Sequence, residues 1–460
     1  MATSDDVVVV MVPFVAQGHL NQLLHFSHLI ISGYNIPIHF VCTATHSRQA
    51  RLRLQGRNTP NNHMINFHQI PDPEFTSPPP NPNGGPTQCL THLQPSFNAT
   101  LLLRHPVADI IRSLSKTTRR VAVVHDSLMS YVVQDVKTIP NAETYIFRGL
   151  SVFFTFCLSF EKLGKEIPKS IRQLPKPVET MSQEFLEFVK LQFLQQSFHV
   201  GNIYDSSRVV EGKFLESLEK EETYGKNHWA VGPFNPVEIE SNSTDSLNRH
   251  NCLKWLDKQP ANSVVYVSFG TTTTFTNDQI NELAIGLEKS EQRFLWVLRE
   301  ADKGDIFKKS DDKQVELPDG FEERVAGKGL VVREWAPQLE ILGHSSTGGF
   351  VSHCGWNSCM EALTSGVAIA TWPMHTDQPY NAVLLLDELG VALVMRDWAR
   401  KDELLASDIV ENVVRKLMVT SEGAAIRKKA KELGGQLRMS VAKDGVTRKE
   451  LDSIISYFRR

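Results

Sequence analysis

Between Trp335 and Gln378 the chain reads WAPQLEILGHSSTGGFVSHCGWNSCMEALTSGVAIATWPMHTDQ, and its centre gathers hydrogen-bond donors where a strand gives way to a helix. Gly348 to Ser352 is an apolar run of buried-strand type, His353 to Ser358 breaks it, and Met360, Ala362 and Leu363 begin an apolar helix side. Asn357 and Ser358 are good N-cap residues, with Glu361 where a capping box or the positive helix end favours an acid. Free backbone N–H groups at such a mouth suit phosphate, and His353, Asn357 and Ser358 add side-chain donors. A plain capped joint explains these few residues equally well. A second turn, Gly270-Thr271-Thr272-Thr273-Thr274, follows the apolar run Ser263 to Phe269; it can wrap a phosphate or simply cap itself.

A base is offered far away in the chain. His19 follows Gly18 at the start of a predicted helix, where the positive helix end is expected to lower the imidazole pKa and keep the ring neutral. A neutral imidazole is what a general base for an alcohol requires. Asp126 closes the apolar run before Ser127 and could cap the helix that starts there. Taken singly, both residues read first as helix caps. His125 is expected to point to the other face of its strand.

The elements that must position these groups alternate. Strands are predicted at Val7 to Val12, Ile36 to Cys42, Ile65 to Ile70, Arg120 to His125 and Glu143 to Phe147, with helices at Leu20 to Ile31 and from Ser47. A second series follows: a helix at Cys252 to Lys258, the strand Ser263 to Phe269, a helix at Asn277 to Lys289, and strands at Phe294 to Arg299, Leu330 to Arg333, Gly348 to Ser352 and Val391 to Met395. Helices then fall after Gln378, near Leu404 to Met418, at Gly423 to Ser440 and at Arg448 to Phe458. Such alternation predicts an α/β protein with doubly wound parallel sheets, whose ligands sit beyond the carboxyl ends of the strands. The polar stretch Pro233 to Asn251 marks the boundary, giving residues 1–235 as the first domain, 236–250 as linker, 251–445 as the second domain and 446–460 as a terminal helix. Pro71 to Pro86 is expected to be a long surface loop at the mouth of the first sheet, and Glu300 to Glu316 a solvated charged loop. Phe153, Phe154, Phe156, Phe185 and Phe188 read as core, or as the lining of a pocket for a flat hydrophobic molecule.

Composition bounds the partners. At 460 residues and a formal net charge of -3 the chain holds two ordinary domains and lacks the basic field that nucleic acid or an anionic membrane would need. Hydrophobic content of 41% with 22% charged residues is that of an ordinary globular protein. Six scattered cysteines without a CxxC pair suggest reduced thiols and no zinc site. With no apolar run of roughly 18 residues and no signal-type start, a cytoplasmic protein is expected, its two sequons at Asn98 and Asn242 unused.

The stretch as a whole is far more specific than its parts. From Trp335-Ala336-Pro337-Gln338 through His353 to Ser358 and Glu361 to Asp377-Gln378 it resembles the signature box of the plant UDP-sugar glycosyltransferases, enzymes of the GT-B fold with two facing Rossmann-like domains and a cleft between them. The resemblance implies that Trp335 stacks on uracil, that Ala336 and Gln338 hold the base and ribose edges, and that Glu361 accepts from the ribose hydroxyls. It implies further that His353, Asn357, Ser358 and Thr271 hold the diphosphate and that Trp356, Asp377 and Gln378 read the sugar. A closing Gln is associated in the family with glucose. PFVAQGH and VVHDS resemble the places of the family's catalytic His and its supporting Asp, which casts His19 as general base and Asp126 as its partner. The implied reaction is an inverting transfer from UDP-glucose or UDP-xylose to a small acceptor, by a monomer with no permanently bound cofactor. No metal is expected either, since no Asp-x-Asp pair stands near the donor box. TATHSRQARLRLQG, WVLREADKGDIF and HDSLM resemble the zeatin O-glucosyltransferase subgroup, which implies a cytokinin acceptor, with a flavonoid or other phenol, attacked through oxygen or carbon, as the alternative. Rivals of other classes are a sugar-nucleotide epimerase and a UDP-sugar binding protein without turnover.

Overall fold

The computed structural model describes residues 7–55, 62–85, 87–88, 90–165, 174–221, 227–237, 249–273, 275–299 and 316–460. Most of the expected linker (238–248), most of the charged loop (300–315), Thr274 and the sequon at Asn242 lie outside the described residues. The chain folds into two parallel sheets. The first has seven strands in the order β3-β2-β1-β4-β5-β6-β7: β1 Val7–Val12, β2 Ile38–Thr43, β3 Ile65–Ile70, β4 Arg120–Asp126, β5 Ala142–Arg148, β6 Gly201–Tyr204 and β7 Asn227–Ala230. The second has six in the order β10-β9-β8-β11-β12-β13: β8 Val264–Ser268, β9 Arg293–Val297, β10 Gly329–Val332, β11 Thr347–Ser352, β12 Ile369–Thr371 and β13 Ala392–Val394. The α/β architecture with two Rossmann-like sheets is the one expected from the alternation.

Each order reverses in its middle. In the first sheet β1 lies beside β4, with Met11 opposite Val124 and Val12 opposite His125; in the second, β8 lies beside β11, with Ser268 opposite Ser352. A ligand crevice opens beyond the carboxyl ends of strands at such a reversal. His19 follows β1 and Asp126 ends β4, while Gly270 follows β8 and His353 follows β11. Both sets of chemical residues therefore occupy the same topological place in their own sheets.

The central strands are apolar on both faces because helices cover both, and Val9, Val10, Met11 and Val12 are fully buried. The last helix, Val446–Arg459, seats Leu451, Ile454, Ile455 and Phe458 in the core of the first sheet. Trp229 Nε1 donates to Ser453 Oγ at 3.2 Å, and the Arg119 guanidinium donates to the carbonyls of Arg459 and Arg460, satisfying the helix end. Three short strands, β6, β7 and β12, escape sequence reading because GNIY, NHWA and IAT are too brief for a period to show.

Candidate active site

His19, the expected base, lies inside a helix rather than before it. The Gln17–Tyr34 helix begins three residues ahead of the expected start, so His19 sits in its first turn, with Ala16 at the N-cap. Its Nδ1 lies 2.6 Å from Asp126 Oδ2. The other carboxylate oxygen, Oδ1, accepts from Leu128 N at 2.8 Å and caps the short Ser127–Met129 turn. Asp126 is thus both the cap and the imidazole partner, one oxygen for each. A carboxylate only accepts, so the proton of the neutral ring is held on Nδ1 and the Nε2 lone pair is left for chemistry. The expected lowering of the His19 pKa is overturned. Burial does push it down, but the Asp126 charge and hydrogen bond, helped by Asp377, outweigh burial and raise it above the usual 6.5. His125 turns away, its Nδ1 2.9 Å from the Asp126 carbonyl oxygen, and burial lowers it to about 4.

On the opposite sheet the helix after β11 is Trp356–Ser365, with Gly355 as N-cap. Asn357 and Ser358 are therefore its second and third residues and not caps, and no side chain caps this end. The first-turn N–H groups stay available to an anion. Cys354, at φ 64°, makes the turn that brings the chain from His353 into the helix. His353 is buried; its Nδ1 has no hydrogen-bond partner among the described residues, and burial lowers its pKa to about 4. Its ring is wedged between two glycines: a Cβ on Gly270 would stand 2.7 Å, and one on Gly355 2.5 Å, from Nε2.

The remaining groups of the box form short networks. Gln338 Nε2 donates to Glu361 Oε2 at 2.7 Å and Ser358 Oγ at 3.0 Å, while Tyr266 donates to Gln338 Oε1 at 3.2 Å. Ala336 is buried beside it, whereas Trp335 is 63% exposed, an indole face at the rim of the cleft. Asp377 accepts from Thr376 Oγ1 at 3.0 Å and from Asn381 Nδ2 at 2.7 Å, and burial raises its pKa. Gln378 Oε1 accepts from the backbone N–H of Met374 and His375 at 2.8 and 3.1 Å, which fixes the amide. Burial holds His375 neutral, at about 3, with its Nε2 3.3 Å from Thr272 Oγ1. Two side chains at the start of the Trp356–Ser365 helix reach the first domain: Trp356 Nε1 donates to the Asp205 carbonyl at 2.8 Å, and Asn357 Nδ2 to the Gly18 carbonyl at 2.9 Å.

One cavity of about 1740 Å³ is lined by His19, Thr271, Trp335, Ala336, Gln338, His353, Trp356, Asn357, Ser358, Glu361, Asp377 and Gln378. Asp126 alone of the expected site residues does not line it; it stands fully buried behind His19. This volume exceeds the range of about 300–1,000 Å³ usual for one small ligand and suits two. Phe14, Leu93, Phe97, Phe154, Phe185 and Val189 form an apolar arm on the side of the first sheet. Of the phenylalanines read as core or pocket, Phe153 and Phe156 are core, while Phe154 and Phe185 are both buried and lining. Gln22, Asp205 and Asn381 escaped sequence reading. Gln22 could have been found one turn beyond His19; the other two act through contacts distant in the chain, which leave no local pattern.

Among the described residues no group of three or more His, Cys, Asp or Glu side chains is placed to hold a metal ion, and no helix is long and apolar enough to cross a membrane. Comparison with known proteins gives the geometry its context. A family model for the glycosyltransferase N-terminal domain matches residues 5–236, and one for UDP-glucuronosyl and UDP-glucosyl transferases matches residues 233–422. The chain is 50% identical to the zeatin O-glucosyltransferase of Phaseolus lunatus, over 99% of this chain and 97% of that one. It is 48% identical to the zeatin O-xylosyltransferase of Phaseolus vulgaris over the whole of both. Phytolacca americana UGT2, solved with UDP-2-fluoro-glucose and pterostilbene, superposes with a TM-score of 0.76 at 27% identity, over 99% of this chain and 100% of that chain.

Proposed function

The chain belongs to the UDP-dependent glycosyltransferases and uses a UDP-sugar donor, and on that premise we propose that it moves glucose or xylose onto the side-chain hydroxyl of a cytokinin with inversion. The observation that carries the mechanism is the His19–Asp126 pair at one reversal point facing the uncapped helix end and buried neutral His353 at the other. His19 Nε2 takes the acceptor's O–H proton as its oxygen attacks the anomeric carbon; the bond to the diphosphate breaks on the far side, and the electron pair leaves with UDP. The imidazolium so formed is stabilised by Asp126, and the charge on UDP by the first-turn N–H groups and by His353, Ser358 and Thr271. Trp335, exposed at the rim, receives the uracil face, while Ala336, Gln338 and Glu361 hold the nucleoside edges and Asp377 and Gln378 read the sugar. Trp356 and Asn357 line the sugar and diphosphate region from the helix start, with their side-chain N–H groups spent on the first domain.

The relatives at 50% and 48% identity, one a glucosyl- and one a xylosyltransferase of zeatin, support the acceptor and leave both donors open. The apolar arm suits a flat heterocycle with a prenyl-type side chain. We further place the domain boundaries at residues 235 and 251, and the enzyme in the cytoplasm as a monomer, a reading supported by its unpaired buried cysteines Cys42, Cys157, Cys252, Cys354 and Cys359. The test is mass-spectrometric turnover of UDP-glucose and, separately, UDP-xylose against trans-zeatin, cis-zeatin and flavonoids. A zeatin product heavier by one hexose or pentose is expected; products on flavonoids alone would keep the reaction and discard the acceptor.

A further inference from the structure

The start of the Trp356–Ser365 helix grips the first domain on both sides of His19. Before it, Asn357 Nδ2 holds the Gly18 carbonyl at 2.9 Å. After it, Trp356 Nε1 donates to the Asp205 carbonyl at 2.8 Å, and Asp205 Oδ2 accepts from Gln22 Nε2 at 3.2 Å. Gln22 is three residues beyond His19 on the same helix face. The two side chains meet over Gly149, where a Cβ would stand 3.0 Å from Gln22 Oε1 and 3.0 Å from His19 Nδ1. We propose that Gln22 and Asp205 are positioning residues that tie the alignment of His19 to closure of the donor-binding domain. This rests on the reading of His19 as the base.

Asp205 joins three parts of the chain: the helix that carries His19, the start of the Trp356–Ser365 helix and the segment that leaves the first sheet. Its Oδ1 accepts from Phe234 N at 2.8 Å, where the chain leaves the first sheet for the second. Gly232 permits that approach, since a Cβ there would lie 2.3 Å from Asp205 Oδ1. The carboxylate is hydrogen-bonded but has no charge partner among the described residues. It is buried, faces no cationic side chain among the described residues, and is pushed by burial up to about 6. An unpaired buried charge is costly and an apolar side chain would fill the place more cheaply, so its retention points to position rather than strength. A link bonded from Trp356 through Asp205 to Gln22, and packed beside His19 over Gly149, transmits a displacement of the helix start to the base.

The experiment is a double-mutant cycle in the full chain. Gln22→Met keeps length and removes the amide; Trp356→Phe keeps a ring and removes the N–H given to Asp205. With both substrates saturating, each is expected to lower kcat by about 5- to 50-fold, the range of a small misplacement of a reacting group. UDP affinity by calorimetry stays within about twofold for Gln22→Met, since that residue makes no donor contact in this account. The double variant should lose no more than the worse single, because both cut one link. A role confined to stability would instead lower Tm, leave kcat of the folded fraction unchanged and give additive effects. Where Gln22→Met does not fold, Gln22→Glu sets two carboxylates face to face at neutral pH and must show the same kcat loss. The proposal fails if Gln22→Met or Gln22→Glu turns over within twofold of the wild type while His19→Ala is inactive, or if the effects add. If His19→Ala keeps wild-type turnover, the base reading itself falls and takes the link with it.

Discussion

At the reversal of the first sheet, between β1 and β4, the fold places an ionisable pair at 2.6 Å and raises the histidine pKa; at the reversal of the second, between β8 and β11, it places His353, and beyond neighbouring β12 His375, which burial keeps neutral, at about 4 and about 3. The same topological slot thus carries opposite electrostatics. A base must accept a proton and hold it through the reaction, so its site is built around a charge partner. A site for a departing diphosphate, as proposed for the second, works by donors and dipoles already fixed in place, and here a helix end is uncapped and an imidazole nitrogen has no partner among the described residues. The two halves lie on different sheets and are joined through Asp205 and Gly18.

Breaking the base side is expected to cost most. His19→Ala should lower kcat by about 10²- to 10⁴-fold with the UDP-sugar affinity unchanged, by steady-state kinetics and calorimetry. Asp126→Asn should cost less, about 10- to 100-fold, and carry a signature in pH. Activity needs neutral His19 and therefore falls as pH drops through its raised pKa. Without the Asp126 charge, burial prevails, the pKa drops and the acid limb of the pH–kcat/KM profile moves to lower pH. An unmoved limb would remove Asp126 from the base assembly.

Breaking the donor side should read in binding. Trp335→Ala removes an exposed aromatic face, and base stacking worth about 1–3 kcal/mol predicts a roughly 5- to 150-fold higher KM for the UDP-sugar at little change in kcat. Gly355→Ala should weaken UDP binding less, as its Cβ displaces the His353 ring it would meet at 2.5 Å.

The smallest effect is on stability. His125, His353 and His375 are neutral when folded but take up protons below about 6.5 when unfolded, so each loses stability as pH falls from 6.5 towards 4. Asp205 and Glu211, raised by burial to about 6 and about 7, act in the opposite sense and gain stability as pH falls through those values. Asp377, also raised by burial, adds to that offset, so Tm should change only shallowly as pH falls from 6.5 towards 4, which a calorimetric series would show.

How much of this was legible in the sequence follows from what each feature depends on. The strands around VVVV and VVYVS and the helix Asn277–Lys289 with its Thr276 cap announce themselves by local period and capping. The family was legible because the residues that carry the resemblance, Trp335 to Gln378, lie in one stretch of the chain. The His19 pKa was misread, since helix position is a local cue whereas Asp126, 107 residues away, sets the sign. Asn357 and Ser358 look like caps by type, yet Gly355 takes that place because the turn through Cys354 starts the helix early. Gln22–Asp205 and Asn381–Cys354 depend on packing between separate segments, which no local pattern encodes.

The central claim, a single displacement driven by a base on one sheet against a donor held by the other, is tested most directly by the anomeric configuration of the product. Proton NMR of the glycoside formed from UDP-α-glucose and trans-zeatin should show the large H1–H2 coupling of a β-linked glucoside, the mark of inversion. An α-linked product would mean retention, and with it that His19 does not deliver the acceptor oxygen in one step.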